Sequence, residues 1–140
     1  MKKKLITAIV FAGIFLAGNV AKAQVKFFQG TWARAVAEAK KQNKPIFVDA
    51  YTTWCGPCKW MNAQVFTDKK VGEFYNANFI NYRIDTEKGE GVTFAKNHGV
   101  KAFPTLIFFD KNEKEIKRII GAKPADQFIN AGKKAAAMAK

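Results

Sequence analysis

Two cysteines separated by two residues, Cys55 and Cys58, stand where a strand-like run gives way to a helix-like one. Upstream, Ile46, Phe47 and Val48 open a run to about Tyr51 that is apolar on both faces, as a central strand covered on both sides should be. Downstream, a helical run extends to about Val65. Pro57 is tolerated between them, because the first helical turn has no N–H bond to lose. The i, i+3 spacing puts both sulfurs on one face of that turn, close enough to bond. The helix's free N–H groups and the positive end of its dipole point at Cys55, and both favour its thiolate. The thiolate is the attacking species in disulfide exchange. Lys59 adds a nearby cation, although a mobile surface lysine contributes little.

The pair has other readings. As a structural disulfide it would be a poor staple, because so short a loop removes only about 2 kcal/mol of unfolded-state entropy. As half of a zinc site it lacks partners: zinc wants four ligands, and the chain holds two cysteines and one histidine, His98. Chance pairing of two buried thiols is the third. A redox role requires strand, Cys-x-x-Cys and helix start to coincide, and here they do.

The rest of the chain alternates strand and helix, and the 140 residues make one domain. Residues 25–28 read as a short edge strand. Thr31 caps a helix to about Gln42 with Trp32, Ala35, Val36 and Ala39 at helical spacing. Pro45 ends it, since the residue before a proline disfavours helix. Asp68 caps a short helix containing Val71, Phe74 and Tyr75, and residues 79–84 alternate like a strand. Residues 91–98 are helical and Gly99 ends them, with His98 as a surface cap residue. A hairpin of residues 105–109 and 115–120 follows, and Pro124 opens a last helix with Phe128 and Ile129 inward. Met61 and Trp60 read as packing. The order (β)αβα(α)βαββα predicts an α/β architecture with parallel crossovers and an antiparallel hairpin at one edge.

Residues 1–23 have the three-part pattern of a cleavable signal peptide: basic Lys2, Lys3 and Lys4, an apolar stretch, and the small-x-small site Ala21-Lys22-Ala23. An uncleaved membrane anchor is the competing reading. Only 17 residues separate Lys4 from Lys22, fewer than the about 20 a spanning helix wants. No cysteine sits at the cleavage site, so a lipid anchor is not indicated. The expected domain is then residues 24–140, in a periplasmic or secreted location. The full chain carries net charge +13, and losing four lysines with the leader leaves +9. Dispersed lysines of this kind serve solubility, and no basic cluster interleaved with aromatics points to nucleic acid.

Trp54-Cys55-Gly56-Pro57-Cys58-Lys59 and the downstream Phe103-Pro104-Thr105 together resemble the thioredoxin family, over about the whole of residues 24–140. The stretch Phe66-Thr67-Asp68 and the long first helix resemble secreted bacterial members and the membrane-linked thiol reductase domains of the periplasm. The resemblance implies a three-layer α/β/α thioredoxin fold with a central mixed sheet of four to five strands. It implies Cys55 as nucleophile and Cys58 as resolving thiol. Asp49 matches the family's buried acid, which relays a proton for the resolving cysteine; an acid inside an apolar strand is costly unless used or solvated. Pro104 would be cis, its loop presenting backbone groups to an extended substrate peptide. Trp54 would be a flat apolar shoulder, with Gly56, Pro57 and Phe103 completing the substrate surface. Three positions depart from the pattern. Asn81 stands where the family has the acid's lysine partner, Tyr51 where it has Trp, and Phe103 where it has a smaller aliphatic residue.

The expected activity is thiol-disulfide oxidoreduction through a Cys55/Cys58 cycle, most simply reduction of disulfides in exported proteins, with no separate cofactor and no metal. The expected partners are disulfide-containing proteins and a membrane thiol reductant transporter, with the protein itself a monomer. Gly-Pro between the cysteines resembles the reducing branch; a secreted address suits an oxidase or isomerase as well. A redox-inert peptide-binding module is the reading from another class.

Overall fold

A computed structural model of the chain describes residues 23–139. The expected signal peptide, apart from Ala23, lies outside the described residues. Helix α1 (Trp32–Gln42) starts where expected, the Thr31 side chain accepting the Arg34 N–H. It stops at Asn43, which adopts the left-handed conformation (φ 53°) two residues before Pro45. Strand β1 (Ile46–Tyr51) leads to helix α2 (Gly56–Gln64). Asp68 then caps α3 (Lys69–Asn78) by accepting the Lys70 and Val71 N–H groups. Strand β2 (Ile80–Asp85), helix α4 (Glu90–Asn97), strands β3 (Thr105–Phe109) and β4 (Glu115–Ile120) and helix α5 (Ala125–Met138) complete the chain.

The sheet order is β2-β1-β3-β4. β1 is central, which accounts for its apolar character on both faces. Ile46, Val48 and Ala50 join Ile107 and Phe109 under Ala35, Val36 and Ala39 of α1 and Phe94 of α4. Phe47, Leu106 and Phe108 face the other way, onto Met61 of α2, Val71 and Tyr75 of α3, and Phe128 and Ala135 of α5. Two cores flank one sheet, giving the three layers expected. The second core is aromatic: the Tyr75 and Phe128 rings stack with centroids 4.1 Å apart, and the buried Tyr75 hydroxyl donates to the Phe128 carbonyl at 2.8 Å. Aromatic pairs of this kind add about 0.5–1.5 kcal/mol beyond their area. No helix among the described residues is long and apolar enough to cross a membrane.

The structure corrects four expectations. Residues 25–28 form no strand; Phe27 makes a single parallel bridge to Asn81, and the Val25 N–H is drawn to the Phe66 carbonyl instead. The sheet therefore has four strands. Among the four strands only β1 and β2 are parallel; β3 runs antiparallel to β1, so α4, which links β2 to β3, makes no parallel crossover. Alternation of strand and helix gives element order but not strand direction. His98 is the C-cap of α4, as expected, but is half-buried rather than a surface residue, packed against Phe94 and Phe109 at 4.3 and 5.1 Å, and burial lowers its pKa. Trp60 is 45% exposed rather than packed. The inward face of α2 carries Cys58 and Met61, and Trp60 falls between them, off that stripe.

Candidate active site

The chain leaves β1 through Thr52, Thr53 and Trp54 and enters α2 at Cys55, whose extended backbone (φ −72°, ψ 112°) makes it the N-cap. Its Sγ accepts the Cys58 N–H at 3.2 Å, the bond a capping oxygen would otherwise take. A donor and a helix N-terminus aimed at one sulfur both stabilise its thiolate. Cys55 and Cys58 are joined as a disulfide with Cα atoms 5.3 Å apart, and both are buried.

Asp49 lies on the same face of β1 as Phe47, towards α2, and is 1% exposed. Parallel register places Arg83 of β2 beside it, with Leu106 of β3 on its other flank. Arg83 Nε donates to Asp49 Oδ2 at 2.9 Å, while Oδ1 has no hydrogen-bond partner. Burial pushes the Asp49 carboxyl up from 3.8 to about 6, against the opposing charge and hydrogen bond of Arg83. Arg83 is held in turn. One terminal nitrogen donates to Asn62 Oδ1 of α2 at 2.8 Å, and its guanidinium lies over the rings of Tyr51, Phe27 and Phe66 at 4.5, 5.1 and 5.7 Å. A cleft of about 250 Å³ is lined by Cys58, Lys59, Asn62 and Arg83 together with Tyr51, Thr52 and Thr53.

The lysine expected opposite the buried acid has thus not simply been lost. Asn81 sits in register with Phe47, not Asp49, and donates towards Asn76 and the Lys26 carbonyl. The cation comes from Arg83, two residues further along β2. Sequence reasoning missed both Arg83 and Asn62. The available signal was an arginine in a strand otherwise alternating towards the core.

Around Cys55 the surface is apolar. Trp54 is 63% exposed, its indole N–H held by the Glu87 carboxylate at 3.0 and 3.1 Å. Its ring meets Phe103 edge-on at 5.9 Å, which brings the Phe103-Pro104 loop to the cysteine turn. The Phe103–Pro104 peptide is cis, as expected, and Pro104 is buried. Gly56 and Pro57 are exposed, and a Cβ at Gly56 would meet nothing within 4 Å, so the approach to Cys55 is open there. Among the described residues no three His, Cys, Asp or Glu side chains lie together as a metal site would need.

Comparison with known proteins agrees with this geometry. Residues 32–136 match the family model described as a thioredoxin-like domain. The chloroplastic thioredoxin Y of Oryza sativa subsp. japonica is 40% identical over 101 residues, 72% of this chain and 56% of its own length. The thiol:disulfide interchange protein DsbD of Yersinia pestis is 33% identical over 94 residues, 65% of this chain and 16% of its own length. The chain thus spans less than two thirds of either relative. The solution structure of a candidate disulphide-isomerase from Bacteroides thetaiotaomicron is 38% identical, with a TM-score of 0.72 over 82% of this chain and 96% of its own. The chain belongs to the thioredoxin-like family: it forms a thiol-disulfide oxidoreductase domain whose paired cysteines are Cys55 and Cys58.

Proposed function

We propose that the protein reduces disulfides in exported proteins. The observation that carries this reading is Cys55 at a helix N-cap, its sulfur accepting the Cys58 N–H, beside the exposed apolar surface of Trp54 and Phe103. In the reduced protein the Cys55 thiolate attacks a substrate disulfide, forming a mixed disulfide and releasing one substrate thiolate. Cys58 gives its proton to the Asp49 carboxylate and attacks Cys55 Sγ. The Cys55–substrate bond breaks, the second substrate sulfur leaves as a thiolate, and two electrons have passed from the dithiol to the substrate. Trp54, Gly56, Pro57, Phe103 and Pro104 form the surface on which an extended substrate segment lies, and the chemistry needs no separate cofactor.

The address comes from the sequence. Residues 1–23 act as a cleaved signal peptide, leaving residues 24–140 as a monomer in the periplasm or outside the cell. Such a compartment is oxidising, so cytosolic thiols do not reach the spent disulfide, and a membrane thiol transporter must supply electrons. The DsbD relative is named a thiol:disulfide interchange protein, which supports thiol exchange between this chain and disulfide-bonded partners.

An isomerase is the second reading, favoured by the Bacteroides relative. The test is turnover of the reduced protein on a disulfide-bonded protein such as insulin, beside refolding of a protein carrying scrambled disulfides. Stoichiometric reduction of insulin with little reshuffling is expected. Efficient reshuffling with little net reduction would overturn the reductase reading, and peptide binding without thiol exchange would leave only a redox-inert module.

A further inference from the structure

We infer that Arg83 is a positioning residue for the resolving step, orienting the buried Asp49 carboxylate and keeping it ionised as proton acceptor for Cys58. The inference rests on the oxidoreductase reading and adds to it a residue outside the cysteine motif. The two carboxylate oxygens differ. Oδ2 is fixed by Arg83 Nε at 2.9 Å, and Oδ1, with no protein partner, is the oxygen left to take a proton. Arg83 also reaches helix α2 through Asn62, one turn after Cys58 and on the same side of the helix. One guanidinium therefore ties the acid on β1 to the helix that carries Cys58, and it shares a cleft with that thiol. The rings of Tyr51, Phe27 and Phe66 hold the guanidinium in place, which a flexible ammonium would exploit less well.

The charged surroundings of Asp49 are simple. β2 contributes Arg83; β3 contributes no titratable side chain, since Thr105–Phe109 reads Thr-Leu-Ile-Phe-Phe; α2 contributes Cys58 and the exposed Lys59. Arg83 is the charged group that opposes the burial of Asp49. Removing an opposite charge at this range raises a carboxyl pKa by about one to three units.

Single-turnover reaction of the reduced protein with an aromatic disulfide that releases a coloured thiolate separates the two steps. The first thiolate reports attack by Cys55 and the second reports resolution by Cys58. For the unaltered protein the second step should fall on an acid limb near pH 6. In Arg83→Gln that limb moves up by at least about one pH unit. Resolution at pH 6 then slows about fivefold while the first step is unchanged, because the ionised fraction of Asp49 falls from a half to about a tenth. Arg83→Lys keeps a charge but cannot grip Asp49 and Asn62 together, and its limb falls between the two. Asp49→Asn loses the limb. Gln and Lys variants whose limbs superimpose on the parent would overturn the assignment, as would a limb that survives in Asp49→Asn. If the Gln variant does not fold, the intermediate limb of the Lys variant decides alone. Failure of the unaltered protein to release even the first thiolate would overturn the oxidoreductase reading and this assignment with it, an outcome distinct from any change confined to the second step.

Discussion

Replacing Asp49 by Asn should stabilise the oxidised protein at neutral pH and not at acid pH. In the unfolded chain this carboxyl ionises near 3.8; in the folded protein burial raises the value to about 6 despite Arg83. The folded state therefore holds the proton more tightly. The contribution of the protonated acid is complete below the unfolded value and is lost as pH rises from 3.8 to about 6. At about 1.4 kcal/mol for each pH unit, the full loss is about 3 kcal/mol. Asparagine carries no such term, so the stability difference between variant and parent should grow in the variant's favour by most of that amount between pH 4 and 7. Urea unfolding of both oxidised proteins at each pH measures the difference, in which the other titrating groups cancel; urea is preferred because guanidinium would screen the Asp49–Arg83 pair. A difference that stays flat with pH, or that favours the parent as pH rises, would refute the reasoning. It would mean that the pair with Arg83 outweighs the burial of the carboxylate.

Other substitutions test other parts of the structure. Cys58→Ser should retain the first attack but accumulate a mixed disulfide with substrate, resolvable by mass spectrometry, whereas Cys55→Ser should form none. Trp54→Ala should raise KM for a protein disulfide about tenfold, or about 1.4 kcal/mol, while leaving reaction with a small aromatic disulfide unchanged. Gly132→Ala would place a methyl 2.7 Å from Phe74 Cε1 and 2.8 Å from the Tyr75 hydroxyl, and thermal unfolding should show a loss of about 1–3 kcal/mol. Tyr75→Phe removes the buried bond to the Phe128 carbonyl and should cost about 1 kcal/mol in the same assay.

Local chemistry made much of this protein legible in its sequence. Thr31 and Asp68 cap the helices they were expected to cap, because the capping bond is made within three residues. The strand, Cys-x-x-Cys and helix start are likewise a short contiguous stretch, so the dithiol could be placed from its neighbours alone. Arg83 could not. It meets Asp49 across 34 residues, through a register that periodicity does not determine. Asn81, at the position of the family's lysine, stands opposite Phe47, and the cation beside the acid comes from Arg83 two residues further on. The direction of β3 was hidden for a related reason: a helix between two strands is compatible with either direction once the chain can return beside β1. Trp60 shows the limit of composition, since a large aromatic next to Met61 still lies outside the buried stripe of a short helix.

The proposed reductase requires that Cys55 and Cys58 form a dithiol that gives electrons away. Its most direct test is the equilibrium reduction potential of the pair, in protein beginning at Gln24, titrated against a dithiothreitol buffer with the thiols trapped and counted. The expected value is about −270 mV, as in thioredoxins, low enough to reduce protein disulfides in an oxidising compartment. A value near about −120 mV, as in the strong oxidant DsbA, would contradict it and make disulfide formation the protein's task.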